Sequence, residues 1–413
     1  MLGATLGPVN ETNMARIWNK HKQFHPVRNN RFSNGAGTSL KRKVFVAMSG
    51  GVDSSVAAFL LKRVGYDVHG VYMKEWVPAG ITCEAGSDRA MTARVAAHLN
   101  IPFEVWDFRK EYKKHVADYM LREYKAGRTP NPDVMCNREV KFGVFLKQAL
   151  KQGADFIATG HYVIKHEAWN MKHRKLYKNV SSFRIHASRD TNKDQSYFLW
   201  TLTQQQLKYC LFPIGGYAKS EVRVIAKKAG LPSWDKKDSQ GVCFVGKLDF
   251  GQFLRKYLPH KKGKIVTTDG KEIGMHDGVW FYTLGQRHGI GIGGGTPYYV
   301  AAKNLKKNIL IVGVGDADKK LFQKELTAQN LNWVSGNPLA GGSTLPMVCK
   351  ARIRYRQPLE TCRVSKTAQG VKVVFSKPQR AITPGQSIVF YKSTGNLPAG
   401  RQVLGGGIID TVK

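Results

Sequence analysis

Acidic residues are scarce in this 413-residue chain: 29 Asp and Glu stand against 65 Lys and Arg, a formal net charge of +36. A compact fold with that excess repels itself unless a polyanion shares its surface. Nucleic acid is the leading candidate, because Lys and Arg displace condensed counterions from phosphates. Charge alone does not choose RNA over DNA. Long apolar runs are also missing. No stretch approaches the roughly 20 residues of a membrane helix, so no membrane association is expected. Residues 1–40 hold no apolar core of a secretory signal. Cysteine is sparse, at Cys83, Cys136, Cys210, Cys243, Cys349 and Cys362, with no C-x-x-C pair. That spacing excludes the common structural zinc sites, and no metal ligand is assigned. Six cysteines in so long a chain make no disulfide framework. A reducing, intracellular setting is expected, where a special cysteine is more often catalytic than structural.

The length calls for two or three domains, and 42% hydrophobic residues suffice to fill their cores. Residues 1–42 are polar and irregular, with Glu11 the single acid. They are read as a disordered basic extension. A mitochondrial transit peptide shares that composition, but no amphipathic apolar face is visible. Order is expected from Val44-Phe45-Val46-Ala47-Met48, an apolar run that reads as a buried strand. Strands at 67–72, 103–108 and 156–159 alternate with helices at 87–99, 112–125 and 139–152. This predicts an α/β fold with a parallel sheet over 43–247, whose ligands bind at the carboxyl ends of the strands. Residues 167–184 look like an insertion. After 248, glycines and short alternating stretches such as Val279-Trp280-Phe281-Tyr282 and Val371-Lys372-Val373-Val374-Phe375 take over. A small central domain (248–313) and a C-terminal β-barrel (314–413) are expected. Asn396 to Arg401 reads as a surface loop.

The first chemical signal is Ala47-Met48-Ser49-Gly50-Gly51-Val52-Asp53-Ser54-Ser55. A strand feeds a loop of small residues, and a helix starts directly behind it. Glycines let the backbone approach a phosphate, free N–H groups at the helix start favour negative charge, and the serines add hydroxyl donors. Asp53 is a candidate magnesium-side or loop-ordering carboxylate. No Lys follows the glycines, so this is not the G-x-x-x-x-G-K-[ST] loop. It resembles the pyrophosphate loop, SGGxDS, of enzymes that split ATP into AMP and pyrophosphate. The Gly289–Gly295 stretch is read instead as a turn, because a strand-like Thr296-Pro297-Tyr298-Tyr299 follows it rather than a helix.

Chemistry beyond adenylation needs a nucleophile. Cys136 follows Thr129-Pro130-Asn131-Pro132-Asp133-Val134-Met135, and two prolines predict a stiff, extended path that presents the thiol just before a helix start. Cys243 lies between Gly241 and Gly246, which predicts a mobile loop. A lone cysteine is commonly a small buried hydrophobe. Neither of these two sits on a periodic apolar face, which leaves the buried and the reactive readings evenly open. Cys83 receives no role.

From about Lys43 to its end the chain resembles the tRNA-specific 2-thiouridylase family. The likeness is carried by the loop at 47–55, Gly70-Val71-Tyr72-Met73-Lys74, the run from Gly127 to Phe142, and Ala158-Thr159-Gly160-His161-Tyr162. It continues in Lys193-Asp194-Gln195-Ser196-Tyr197-Phe198-Leu199, the segment around Cys243, Thr283-Leu284-Gly285-Gln286-Arg287, Arg352-Ile353-Arg354-Tyr355-Arg356 and Pro384-Gly385-Gln386. The resemblance implies ATP at Ala47, Met48, Ser49, Gly50, Gly51, Val52, Asp53 and Ser54, with Met73 and Gly160 on the adenine side. It implies a persulfide on Cys243, supplied by a donor protein, and Cys136 as the paired nucleophile, with a transient Cys136–Cys243 disulfide. The substrate it implies is the wobble uridine of tRNAs for Lys, Glu and Gln. Asn131, Pro132 and Asp133 match positions at the target base. His161, Lys193, Asp194, Gln195, Arg354, Tyr355 and Gln386 match positions touching tRNA. For Asp194 alone, a turn or helix-cap carboxylate is the plainer reading. The location implied is cytoplasmic, or the mitochondrial matrix if residues 1–42 are a transit peptide. Two alternatives stand beside this. One is another pyrophosphate-loop enzyme, such as an amidotransferase synthetase, which would not require both cysteines, or a different tRNA sulfurtransferase. The other is a non-catalytic RNA-binding protein with a relic loop, which consumes no ATP.

Overall fold

The computed structural model describes residues 41–78, 85–169, 181–238, 250–293, 295–336, 346–392 and 401–412. Five parallel strands form the first sheet: β1 (Lys43–Ala47), β2 (Asp67–Lys74), β3 (Phe103–Asp107), β4 (Phe156–Ala158) and a short strand Cys210–Leu211, in the order β3-β2-β1-β4 and then Cys210–Leu211. β1 is buried on both sides, with Val44, Phe45 and Val46 inaccessible to solvent, as a central parallel strand covered by helices must be. The chain runs outward from β1 in one direction to β2 and β3 and in the other to β4. The crevice beyond the carboxyl ends of β1 and β4 is therefore the topological switch point, where open α/β sheets bind ligands.

Helix α1 (Val52–Arg63) packs Val52, Val56 and Leu60 on one face of the sheet. Helix α2 (Ala85–His98) contributes Val95 to that layer, and a later helix, α5 (Lys219–Lys228), contributes Val222, Ile225 and Ala226. The opposite face is covered by two longer helices, α3 (109–125) and α4 (132–151), around Tyr112, Met120, Phe142, Phe145 and Trp106. Each contains π-helical turns, at Lys113–Ala117 in α3 and Cys136–Val144 in α4. Such turns recur at functional sites.

α4 differs from the sequence expectation, which placed its start at 139. Asn131 is the N-cap, its Oδ1 accepting from Val134 N at 3.2 Å, and Pro132 occupies the first turn. Proline fixes φ in the helical range and its missing N–H costs nothing there. The second proline of the stiff segment thus begins the helix instead of prolonging the loop. Cys136 lies one turn inside α4 and is 3% exposed, within the apolar core, rather than on an open loop.

A hairpin of β5 (Val163–Trp169) and β6 (Ser181–Ala187) leaves the first domain and adds to the edge of the C-terminal sheet. Within the span read as an insertion, 170–180 lie outside the described residues; the flanking strands are regular. The central domain is a four-stranded sheet of Tyr298–Asn304, Ile309–Val314, Gly263–Thr267 and Glu272–His276, in that order. The last part is a β-barrel of Phe322–Trp333, Gly370–Arg380, Glu360–Thr367, Met347–Arg352, Ser387–Tyr391 and Gln402–Val412, closed by pairing of the first with the last. Closure removes the open sheet edges. Alternate residues such as Val371, Val373 and Phe375 fill its interior. Among the described residues, no helix is long and apolar enough to cross a membrane.

Candidate active site

The loop after β1 turns at Gly50, whose φ of +71° is a left-handed conformation that glycine adopts without penalty. A Cβ there would also stand 2.5 Å from the Asp88 carbonyl oxygen. The loop is ordered from within. Ser54 Oγ accepts from Ser49 N at 3.2 Å, and the hydroxyls of Ser54 and Ser55 donate to the Gly51 carbonyl at 3.2 and 2.8 Å. Ser233 Oγ then donates to Ser55 Oγ at 3.0 Å. Gly160, at the end of β4, packs directly on this loop, because a Cβ there would meet Ser54 N at 2.7 Å and the Asp53 carbonyl carbon at 2.8 Å. Gly50 and Gly160 thus let the loop pack tightly against α2 and the end of β4, at the switch point. Met73 lies at the end of β2, packed against the core next to α3 and α4.

Asp53 is half-buried and paired within the protein. Its Oδ1 accepts from Tyr162 OH at 2.7 Å and from Lys219 Nζ at 2.7 Å. Lys219 stands at the first turn of α5 with its side chain 12% exposed, and it also pairs with Asp238 Oδ1 at 2.8 Å. Asp238 in turn holds Lys193 at 2.5 Å and Arg223 at 2.9 Å. Burial alone would push the Asp238 carboxyl up, but hydrogen bonds from Lys193 and Lys219 outweigh it and hold the group at about 2. Burial, reinforced by the Asp53 charge, pushes the Tyr162 phenol up, so it remains a protonated donor.

Sequence reasoning missed Lys219, which reaches the glycine loop from α5 through Asp53. Its one signal was the spacing Ala218-x-x-Glu221 before Val222 and Ile225. Glu221 Oε2 accepts from Ala218 N at 2.7 Å, marking a helix start. Asp238 is the last described residue before 239–249, and Cys243 lies outside the described residues.

A second cluster surrounds the first turn of α4. Asp133 is pushed up by burial and pulled back by the Lys141 ammonium. Glu75, just past β2, is raised to about 7 by burial, with Lys141 lowering it and Asp133 raising it. His161 is held well below its usual range, by burial first and by Lys141 second. Its Nδ1 bonds Thr159 Oγ1 at 2.8 Å and its ring lies 5.8 Å from that of Phe142. The Lys141 ammonium, on the same helix as Cys136, acts on all three groups. The neutral His161 and a carboxyl near neutrality are groups able to hold or release a proton.

The remaining matched positions are engaged within the protein. Asp194 is 3% exposed: its Oδ1 accepts from Ser188 N at 3.2 Å and Ser196 N at 3.0 Å, and its Oδ2 accepts from Ser196 Oγ at 3.0 Å. Its side chain is a buried turn carboxylate. Gln195 Oε1 accepts from Tyr162 N at 2.9 Å, which joins the Lys193–Gln195 motif to the nucleotide loop through Tyr162 and Asp53. Arg354 Nη2 donates to the carbonyls of Leu284 at 3.0 Å and Ala381 at 2.6 Å. Tyr355 packs on Phe198 with ring centroids 4.6 Å apart, and Arg356 lies over its ring at 5.0 Å. Gln386 Nε2 donates to the Thr129 and Pro130 carbonyls at 2.9 and 3.1 Å. No group of three or more metal-ligating side chains occurs among the described residues.

Three family models cover the chain in succession: a "tRNA methyl transferase HUP domain" over residues 42–247, a "tRNA methyl transferase PRC-barrel domain" over 251–314, and an "Aminomethyltransferase beta-barrel domain" over 323–409. The chain is 48% identical to the tRNA-specific 2-thiouridylase MnmA of Halalkalibacterium halodurans over 375 residues, 90% of this chain and 95% of that protein. It is 45% identical to the tRNA-specific 2-thiouridylase MnmA of Pseudomonas paraeruginosa, over 92% of this chain and 98% of that one. The domain models carry transferase names of another kind, while these full-length relatives are named for thiolation. With a pyrophosphate loop at the switch point, a cysteine one turn into a capped helix, and relatives aligned across nine-tenths of the sequence, the chain belongs to the tRNA-specific 2-thiouridylase family.

Proposed function

We propose that the protein replaces the carbon-2 oxygen of the wobble uridine of tRNA with sulfur, in tRNAs for Lys, Glu and Gln, at the expense of ATP. The observation that carries this reading is the hydrogen-bonded chain from Asp53 through Tyr162 to Gln195. It supports the reading because it ties the glycine loop to the Lys193–Gln195 motif that resembles an RNA contact.

ATP binds at Ala47–Ser54, with Met73 and Gly160 framing the adenine side. The turn at Gly50 and the start of α1 suit a polyphosphate, because a helix N-terminus presents backbone N–H groups to an anion. Lys219 supplies the cation for it. A single carboxylate, Asp53, suits magnesium held mainly by phosphate oxygens; when bound, the ion neutralises charge developing on those oxygens. The carbon-2 oxygen attacks the α-phosphorus and the bond to pyrophosphate breaks. Uridine then carries AMP, a far better leaving group than hydroxide.

A donor protein loads Cys243 with a persulfide. Its terminal sulfur bonds carbon 2, the Cys136 thiolate attacks Cys243 Sγ, and the electron pair of the broken S–S bond returns to the transferred sulfur. Expulsion of AMP completes the exchange and leaves a Cys136–Cys243 disulfide for a thiol reductant to open. Covalent catalysis divides one hard substitution into easier steps. Asn131, Pro132 and Asp133 stand at the flipped base, and Asp133, poised by burial against Lys141, relays its proton. His161, Lys193, Asp194, Gln195, Arg354, Tyr355 and Gln386 line or brace the RNA-facing surface. The proposed setting is the cytoplasm, or the mitochondrial matrix should residues 1–42 serve as a transit peptide.

The test is mass spectrometry of tRNA incubated with protein, ATP, magnesium and a sulfide source. ATP-dependent gain of sulfur at the wobble uridine, with release of AMP, is expected. AMP release without thiolated tRNA points to another pyrophosphate-loop enzyme. Neither product, with tRNA bound, leaves only an RNA-binding protein.

A further inference from the structure

We infer that Gln386 is a positioning residue for the Asn131–Cys136 segment, working with Thr283 to make the barrel and the central domain into a clamp on the nucleophile helix. The inference rests on the proposed role of Cys136 and adds to it a task for the two non-catalytic domains.

Thr129 and Pro130 immediately precede the N-cap of α4; the barrel and the central domain converge on them, and α3 holds the preceding Arg128. From the barrel, the Gln386 side-chain amide donates to both carbonyls, Thr129 at 2.9 Å and Pro130 at 3.1 Å. Carbonyls only accept, so the assignment of nitrogen at that end of the amide is fixed by chemistry. The Pro384 carbonyl accepts from Thr129 N at 2.9 Å. From the central domain, Thr283 Oγ1 meets Thr129 Oγ1 at 3.2 Å. From α3, Glu123 holds the guanidinium of Arg128 through two bonds of 2.5 and 2.7 Å. Both polar backbone groups of Thr129 are thereby engaged by the barrel.

The clamp is itself anchored. Gln386 N donates to Thr383 O at 3.2 Å, and its carbonyl accepts from Ile409 N at 2.9 Å, inside the closed barrel. Gly385 has a φ of +92°, and a Cβ there would lie 2.9 Å from the Thr129 oxygen, so the turn needs glycine for both conformation and approach. The next residue, Ser387, accepts from Tyr197 OH through its carbonyl at 2.8 Å and from Trp200 Nε1 through Oγ at 3.0 Å. The Pro384–Ser387 turn thus grips both sequence blocks that flank the proposed target base. Arg354 Nη2 locks the central-domain strap to the barrel, bonding Leu284 O, Ala381 O and Thr383 Oγ1 at 3.0, 2.6 and 3.1 Å.

These bonds place a cost on moving the N-terminus of α4. Pro130 and Pro132 stiffen the segment, so a shift at the Thr129 and Pro130 carbonyls is transmitted to Asn131, Asp133 and Cys136 instead of being absorbed. Misplacement of reacting groups by about 1 Å can cost on the order of a hundredfold in rate. A side chain matched to an RNA contact by resemblance therefore acts before RNA arrives.

The test uses full-length protein carrying Gln386→Ala or Gln386→Lys. Without RNA, amide hydrogen exchange over 131–137 should quicken about tenfold in Gln386→Ala, as loss of two hydrogen bonds predicts, with the barrel strands still protected. At saturating tRNA its single-turnover thiolation should fall about tenfold or more. Gln386→Lys, which restores an N–H donor, should recover protection and rate. Wild-type exchange and rate in Gln386→Ala, with weakened tRNA affinity, would overturn the inference in favour of direct RNA contact. A Lys variant as unprotected as the Ala variant would overturn it too. A wild-type protein that thiolates nothing would sink the proposed function, while the RNA-free exchange result would still decide whether the clamp exists.

Discussion

Replacing Lys219 with Met should unfasten the nucleotide loop from α5 and cost the first domain about 2–3 kcal/mol. The ammonium, with 12% of the side chain exposed, is shared by Asp53 at 2.7 Å and Asp238 at 2.8 Å. Removing one partner of a buried ion pair commonly costs about 3–5 kcal/mol, because a charge remains unpaired. The loss here falls at the lower end, since Asp53 keeps Tyr162, Asp238 keeps Lys193 and Arg223, and both carboxylates retain 32% and 26% exposure. Calorimetry of the nucleotide-free protein should show the first-domain transition lowered by about 5–10 °C. The pH dependence carries the sign. Asp238 in the folded protein titrates at about 2, below its ordinary 3.8. Its contribution is present above pH about 4 and is lost as pH falls through about 2. Without Lys219 that loss should be smaller and complete at a higher pH. Lys219→Met combined with Asp53→Asn should cost less than the sum of the single changes, by about 1 kcal/mol or more. Strict additivity, with the acid limb unmoved, would refute the shared-ammonium account.

Cys136→Ser and Cys243→Ser should each abolish thiolation, read by mass spectrometry, while ATP-dependent AMP formation and tRNA binding persist; full thiolation by either variant removes that cysteine from the mechanism. Gly160→Ala should weaken ATP binding at least about tenfold, measured by equilibrium titration, because its Cβ would press on the backbone of Asp53 and Ser54, an overpacking worth about 1–3 kcal/mol. Glu75→Gln should stabilise the protein more at pH 8 than at pH 5. The folded-state pKa of Glu75 is raised to about 7 by burial, so its neutral form contributes fully below pH about 4.5 and that contribution is lost as pH rises through 7; equal effects at the two pH values would show that Glu75 is not desolvated.

Much of the architecture was legible because it rests on local patterns. Val44-Phe45-Val46 is apolar on consecutive residues, the signature of a strand covered on both faces, and it became the central strand. The burial of Val371, Val373 and Phe375 follows the period of two read from the sequence. The start of α4 was misplaced because proline carries two meanings: it extends a loop, and it also opens a helix when a capping Asn precedes it. Here Asn131 Oδ1 decides in favour of the helix. The same ambiguity put Cys136 on a loop, whereas one turn of helix carries it into the core.

The site was legible only as separate motifs, since what joins them is long-range. Asp53 and Lys219 are 166 positions apart, and Thr129 and Gln386 are 257. No periodicity encodes such pairs; they arise when the sheet brings β1 beside β4 and the closed barrel delivers one turn to the catalytic domain. A basic residue at a helix start, like Lys219, reads from sequence as a solvated charge, and only a fold that sets two carboxylates within 3 Å of it ties it to the glycine loop. The same holds for Gln386, whose amide is an ordinary surface group until the barrel closes. Residues that touch substrate leave motifs, because their chemistry constrains their neighbours. Residues that position them need only the right donor at the right place in space, which the linear pattern does not record.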